Sequence, residues 1–206
     1  MTICEELKGL CPDFSEEKCF GLVVAASLNR GGETTAKDAY GFTLTDNKGN
    51  LVYTVLFGTS IPDSALAYDG IRRDQVMSNV TFVDAYTKLC ALLPEGAILF
   101  SANAGKWAHG IFESIPKEFP AAVVRNDLKH VDIASFCEAI NTGNVPKEGE
   151  DIVSFTMRNA LKKRMNLMSY AAVHGIKPDL SLTGPEQRAV AVGELLAQTF
   201  EMESEK

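Results

Sequence analysis

The alternation of apolar and polar positions becomes clear at Phe20. The run Phe20-Gly-Leu-Val-Val-Ala-Ala-Ser-Leu28 is apolar, β-branched at its centre and followed by the polar loop Asn29-Arg-Gly-Gly32. A short apolar run of this kind predicts a buried central strand. Tyr40-Gly-Phe-Thr-Leu-Thr-Asp46 alternates strictly, with Tyr40, Phe42 and Leu44 on one face and Thr43 and Thr45 on the other. A turn at Asp46-Asn-Lys-Gly-Asn50 leads into Leu51-Val-Tyr-Thr-Val-Leu-Phe57, which makes the pair an antiparallel hairpin. Gly58 to Arg73 reads as a long connection.

Val76, Val80, Val83, Leu89, Leu92 and Leu93 recur at roughly helical spacing and predict a helix over 74–93, stopped by Pro94. Ala97-Ile-Leu-Phe100 predicts a strand ending at Ser101-Ala-Asn103, and a helix over about 105–114 follows. His130 to Ala134 predicts a short strand leading into a helix with Phe136 and Cys137. Further helical patterns cover 152–165, 167–174 with Gly175 as C-cap, and 185–200. Residues 1–18 read as an N-terminal extension docked on the domain at 19–202, with an acidic tail at 203–206. A hairpin followed by βα units implies an α/β domain, a mixed five-stranded sheet with helices on both faces.

Composition narrows the function. At 206 residues and 46% hydrophobic content, one soluble domain with a sizeable core is expected. No apolar run approaches the roughly eighteen residues of a membrane span. The acidic start Met1-Thr-Ile-Cys-Glu-Glu6 is unlike a signal peptide, so a cytoplasmic location is expected. Cys4, Cys11, Cys19, Cys90 and Cys137 are odd in number and without zinc-site spacing, which predicts reduced thiols. A net charge of −7 argues against tight nonspecific nucleic-acid binding. Lys162-Lys-Arg164 is the main basic run beside Arg72 and Arg73, and a helix C-terminus accounts for it.

Four segments, in order, carry a resemblance. They are the strand Leu22-Val-Val-Ala25 before its hairpin, Tyr68-Asp-Gly-Ile-Arg-Arg-Asp-Gln-Val76, Ala97-Ile-Leu-Phe-Ser-Ala-Asn-Ala104, and His174-Gly-Ile-Lys-Pro178 with Thr183-Gly-Pro-Glu-Gln-Arg188. Together they resemble the DnaQ-like (DEDD) 3′–5′ exonucleases of the ribonuclease-H-like fold, over residues 20–200. In the second segment Asp69 stands where the family usually has histidine. The resemblance implies phosphodiester hydrolysis by two divalent ions. These ions need carboxylates: an Asp and a Glu two residues apart on the first strand, and an Asp from each of two later helices. A histidine or tyrosine would act as general base.

This sequence has none of the four acids. The positions fall on Ala25, Ser27, Trp107 and Arg188, and the general base falls near Thr183. A one-residue shift offers only Ala26 and Leu28. Arg188 shares a helix face with Val192, Leu195 and Thr199. Thr183-Gly-Pro-Glu186 fits a capping box, and Trp107 reads as a packing residue. His109, His130 and His174 lack ligand spacing. The expectation is a degenerate exonuclease homologue without a cofactor, whose cleft at Asn103, Trp107 and Arg188 serves binding. Its partner would be a protein, or a single-stranded nucleic acid or nucleotide. The alternative is an active exonuclease or phosphodiesterase that uses Mg²⁺ or Mn²⁺ with the displaced acids Glu33, Asp38 or Asp132. The oligomeric state is left open.

Overall fold

A computed structural model describes residues 3–27, 34–58, 60–103, 108–159 and 166–201. The predicted central strand is β1, Cys19–Ala26, in the middle of a five-stranded sheet. β2 (Ala39–Thr45) and β3 (Leu51–Leu56) extend it on one side as the antiparallel hairpin. β4 (Ile98–Ser101) and β5 (Lys129–Asp132) extend it on the other, both parallel. The order β3-β2-β1-β4-β5 covers β1 on both edges, which is why its sequence is apolar nearly throughout.

Eight α-helices are described. In chain order they are α1 (Ile3–Leu10), α2 (Asp63–Tyr68), α3 (Phe82–Leu92), α4 (Ala108–Glu118), α5 (Ile133–Asn141), α6 (Ile152–Arg158), α7 (Leu167–Val173) and α8 (Gly184–Glu201). Strand periodicity sorts the core into two layers. Ile98 and Phe100 join Phe136, Phe155, Val192 and Leu196 on the face covered by α1, α5, α6, α7 and α8. Leu99 joins Leu22, Phe42, Tyr86, Ile111 and Phe112 beneath α3 and α4. The segment read as an N-terminal extension contributes Ile3, Leu7, Cys11 and Phe14 to the first layer, so it packs in the domain core.

Thr43 and Thr45 are 1% and 0% exposed although polar. α8 lies across that face, and Thr45 Oγ1 donates to the Ala189 carbonyl at 3.1 Å. The close approach needs glycine. A Cβ on Gly193 would fall 2.5 Å from Gly49 Cα in the hairpin turn.

Three boundaries differ from the periodicity. The helix expected over 74–93 starts at Phe82, because Thr81 and Asp84 form a reciprocal capping box. Val76 and Met77 instead run beside β3, with Met77 N–H donating to Leu56 O at 2.8 Å. The long connection contains the six-residue α2, anchored by buried Leu66. α4 runs to Glu118, beyond the expected 114. The basic run Lys162–Arg164 lies outside the described residues. None of the five cysteines is in a disulfide. Among the described residues, no helix is long and apolar enough to cross a membrane.

Candidate functional site

The C-terminal ends of β1 and β4 open into a cleft of about 550 Å³. Its walls come from the β-strand ends (Ala25, Ser27, Ser101), from Tyr68 and Asp69 at the C-terminal end of α2, and from Arg188 on α8. Asn103 and Asn166 also line it. The structure thus brings together three of the sequence-read positions, Ala25, Ser27 and Arg188, and the cleft residue Asn103. Trp107 and Glu33 lie outside the described residues.

A charged pair occupies one wall. Arg188 Nη2 donates to Asp69 Oδ1 at 2.8 Å, across 119 residues of chain. Tyr40 donates its hydroxyl to Asp69 Oδ2 at 2.5 Å. Burial first, and the hydrogen bond to Asp69 second, raise the Tyr40 phenol above its ordinary pKa, which keeps the proton on the donor. Asp69 is 3% exposed, and its carbonyl accepts from Gly184 N–H at 2.7 Å. A Cβ on Gly184 would meet that carbonyl oxygen at 3.0 Å, so the start of α8 is seated directly on Asp69.

The sequence alone singles out Arg188 but not its partners. Tyr40 reads there as one apolar position of an alternating strand. Asp69 reads as a lone departure from the histidine of the family segment. The signal that the resemblance offers is reciprocal: it expects a histidine at Asp69 and an acid at Arg188. Tyr68 and Asn166 carried no sequence signal.

The other candidate acids have structural partners. Asp132 is the N-cap of α5, accepting from Ser135 N–H and Oγ at 2.9 Å each through Oδ1. Its Oδ2 accepts from Asn103 N–H at 2.7 Å and holds that residue at φ 53°. Asparagine is one of the few side chains that tolerate the left-handed region. Asp38 accepts from Thr35 N–H and Oγ1 through Oδ2, closing a 3-10 turn. Thr183, the residue the resemblance puts near the general base, donates from N–H and Oγ1 to Glu186 at 2.8 and 2.7 Å, and the N–H bond is one half of the expected capping box. Ser27 is held by its backbone, donating to Asp38 O at 2.9 Å. Beyond the cleft, burial with His109 nearby pushes the His130 imidazole down to about 4.

A two-metal centre does not fit these residues. Such a site needs several converging oxygen ligands. The cleft instead presents a methyl group at Ala25, a neutral hydroxyl at Ser27 and a guanidinium at Arg188. Among the described residues lining the cleft, the one carboxylate is Asp69, and it is already bound by Arg188 and Tyr40. Among the described residues, no three His, Cys, Asp or Glu side chains converge on a common point.

Sheet order and helix placement define a ribonuclease-H-like fold. Among solved structures, the chain matches that of E. coli exonuclease I in complex with a 5cy-dT13 oligonucleotide, with a TM-score of 0.52 and 12% identity. The match covers 89% of this chain and 42% of that one, so the chain spans less than half the length of its structural neighbour. No family model and no curated protein sequence matches the chain.

Proposed function

We propose that this chain is a non-hydrolytic homologue of the DnaQ-like exonucleases that binds a nucleotide or the end of a single-stranded nucleic acid in its cleft. The observation that carries this proposal is the Arg188–Asp69 pair. It sets a cation and an occupied carboxylate where the fold's chemistry needs several open carboxylates. Two divalent ions beside Arg188 would add four positive charges to a partly desolvated wall that holds one carboxylate among the described residues. Unpaired buried charges are strongly disfavoured.

The remaining features support binding. The cleft volume of about 550 Å³ lies within the range of roughly 300–1,000 Å³ usual for small-molecule sites. Apolar strand ends, two asparagine amides and an exposed tyrosine suit a planar, polar-edged ligand. The oligonucleotide bound by the structural neighbour is consistent with that choice.

An exonuclease assay on single-stranded DNA and RNA with Mg²⁺ or Mn²⁺ tests the proposal. No shortening of either strand is expected. Degradation from the 3′ end that stops with EDTA and is abolished by Glu33→Gln would instead establish the active enzyme built on displaced acids. Thermal denaturation with nucleotides and short oligonucleotides should show a rise in melting temperature, since a ligand specific for the folded state stabilises it. A flat response to all of them rejects cleft binding and leaves a protein partner.

A further inference from the structure

Resting on the cleft's role as a binding site, we infer that its ligand bears a phosphate monoester, on a mononucleotide or at a strand end, held by Arg188 with the adjoining base on Tyr68. Arg188 is the one basic side chain among the described residues lining the cleft. Its side chain is 26% exposed, and among the described residues its hydrogen-bond partner is Asp69. A guanidinium offers five N–H donors in a planar fork suited to phosphate oxygens. One is taken by Asp69 and a further edge stays available.

Ligand charge, and not the neighbouring carboxylate, sets the preference between phosphate types. Both oxygens of Asp69 are engaged, by Arg188 and by Tyr40, and the residue is 3% exposed. Arg188 is therefore partly neutralised, and a weakly charged ligand gains little from it. Attraction scales with ligand charge. An internal phosphodiester carries about one negative charge, whereas a monoester carries about 1.5–2 at neutral pH. The terminal monoester is the stronger partner.

The second contact is aromatic. Tyr68 lines the cleft while 81% exposed, so its ring is open to a planar ligand. Bases of any identity stack on such a ring, because every base has a π-face. Ser101 adds an unmet polar group. It is 4% exposed at the cleft wall, and its Oγ has no hydrogen-bond partner among the described residues. Together these contacts specify the end group and not the sequence.

Fluorescence anisotropy and calorimetry in EDTA at pH 7.5 test the inference. The ligands are an oligothymidylate ending in 3′-hydroxyl, the same strand ending in 3′-phosphate, thymidine, and thymidine 3′- and 5′-monophosphates. Each phosphorylated ligand should bind about tenfold or more tightly than its hydroxyl counterpart, the effect of one charge-assisted contact. The gap should close in the double variant Arg188→Met/Asp69→Asn, which removes both charges without stranding either. Tyr68→Ala should weaken every base-bearing ligand and preserve the gap. Tighter binding of the phosphorylated strand than of the mononucleotides assigns a strand end. Equal binding assigns a free nucleotide, and both outcomes support the monoester. Equal affinity for the two strand ends together with equal affinity for thymidine and its monophosphates, or a gap that survives in the double variant, overturns the phosphate assignment while cleft binding stands. Binding of none of these ligands overturns both.

Discussion

Replacing Arg188 by Met tests how much the Asp69–Arg188 contact holds the cleft together. Asp69 is 3% exposed, so the variant leaves a buried carboxylate with the Tyr40 hydroxyl as its remaining side-chain donor among the described residues. Removing one partner of a buried ion pair costs about 3–5 kcal/mol. The Arg188 side chain is 26% exposed and water can partly replace it, which places the loss near the lower end, about 3 kcal/mol. In a chain of this length each kcal/mol moves the melting temperature by roughly 2–4 °C, so a fall of about 6–12 °C is expected. Asp69→Asn should cost less, about 1–2 kcal/mol, because the surviving guanidinium reaches solvent. The double variant should also lose only about 1–2 kcal/mol, since neither charge is then stranded. Urea titrations followed by far-UV circular dichroism give all four corners of the cycle. Single losses that sum to the double loss within about 0.5 kcal/mol would show the two residues to be uncoupled. A loss below about 1 kcal/mol for Arg188→Met would show that the pair does not hold the wall.

Two further outcomes follow from the packing. His130 is held neutral by burial, packs on Phe112 at 4.8 Å and faces His109 at 5.6 Å, and His109 is itself paired with Glu113. Its folded value, about 4, lies below the unfolded value near 6.5, so the unfolded chain takes up more protons between them. Stability should fall as pH drops through that window, by roughly 2 kcal/mol once partial solvent access is discounted, and His130→Phe should flatten this part of the profile. An unchanged profile in the variant would exclude His130 as the source. Gly193→Ala should cost about 1–3 kcal/mol by overpacking against the hairpin turn. A variant as stable as the parent in urea would mean that α8 can lift from Gly49 without loss.

Period-2 and period-3.6 patterns determined much of the fold. The runs at Phe20, Tyr40 and Leu51 are β1, β2 and β3, and the stripe Val192, Leu195, Thr199 is the buried face of α8. These signals are legible because each residue's environment there is set by neighbours a few positions away. Capping is local in the same sense, which is why Thr183 with Glu186 and Asp132 before Ser135 could be read directly. The pattern misled at Val76 and Val80. Their spacing imitates a helix, whereas Met77 bridges to Phe57 just past β3 and α3 starts six residues after Val76, at Phe82 behind the Thr81–Asp84 box.

The sequence by itself also determined the chemistry at three cleft positions: Ala25, Ser27 and Arg188 carry a methyl group, a hydroxyl and a guanidinium, none of them a carboxylate. Tertiary structure alone decided what stands beside Arg188. Asp69 and Arg188 are 119 residues apart, and Tyr40 reaches Asp69 from β2, so no local period links the three. Only when α8 packs across the sheet, with Gly193 against Gly49 and Gly184 against Asp69, do they converge. Local sequence fixes the conformation of each element. The match of a buried acid to a distant base is a property of how those elements pack, because burial is what makes each charge depend on the other.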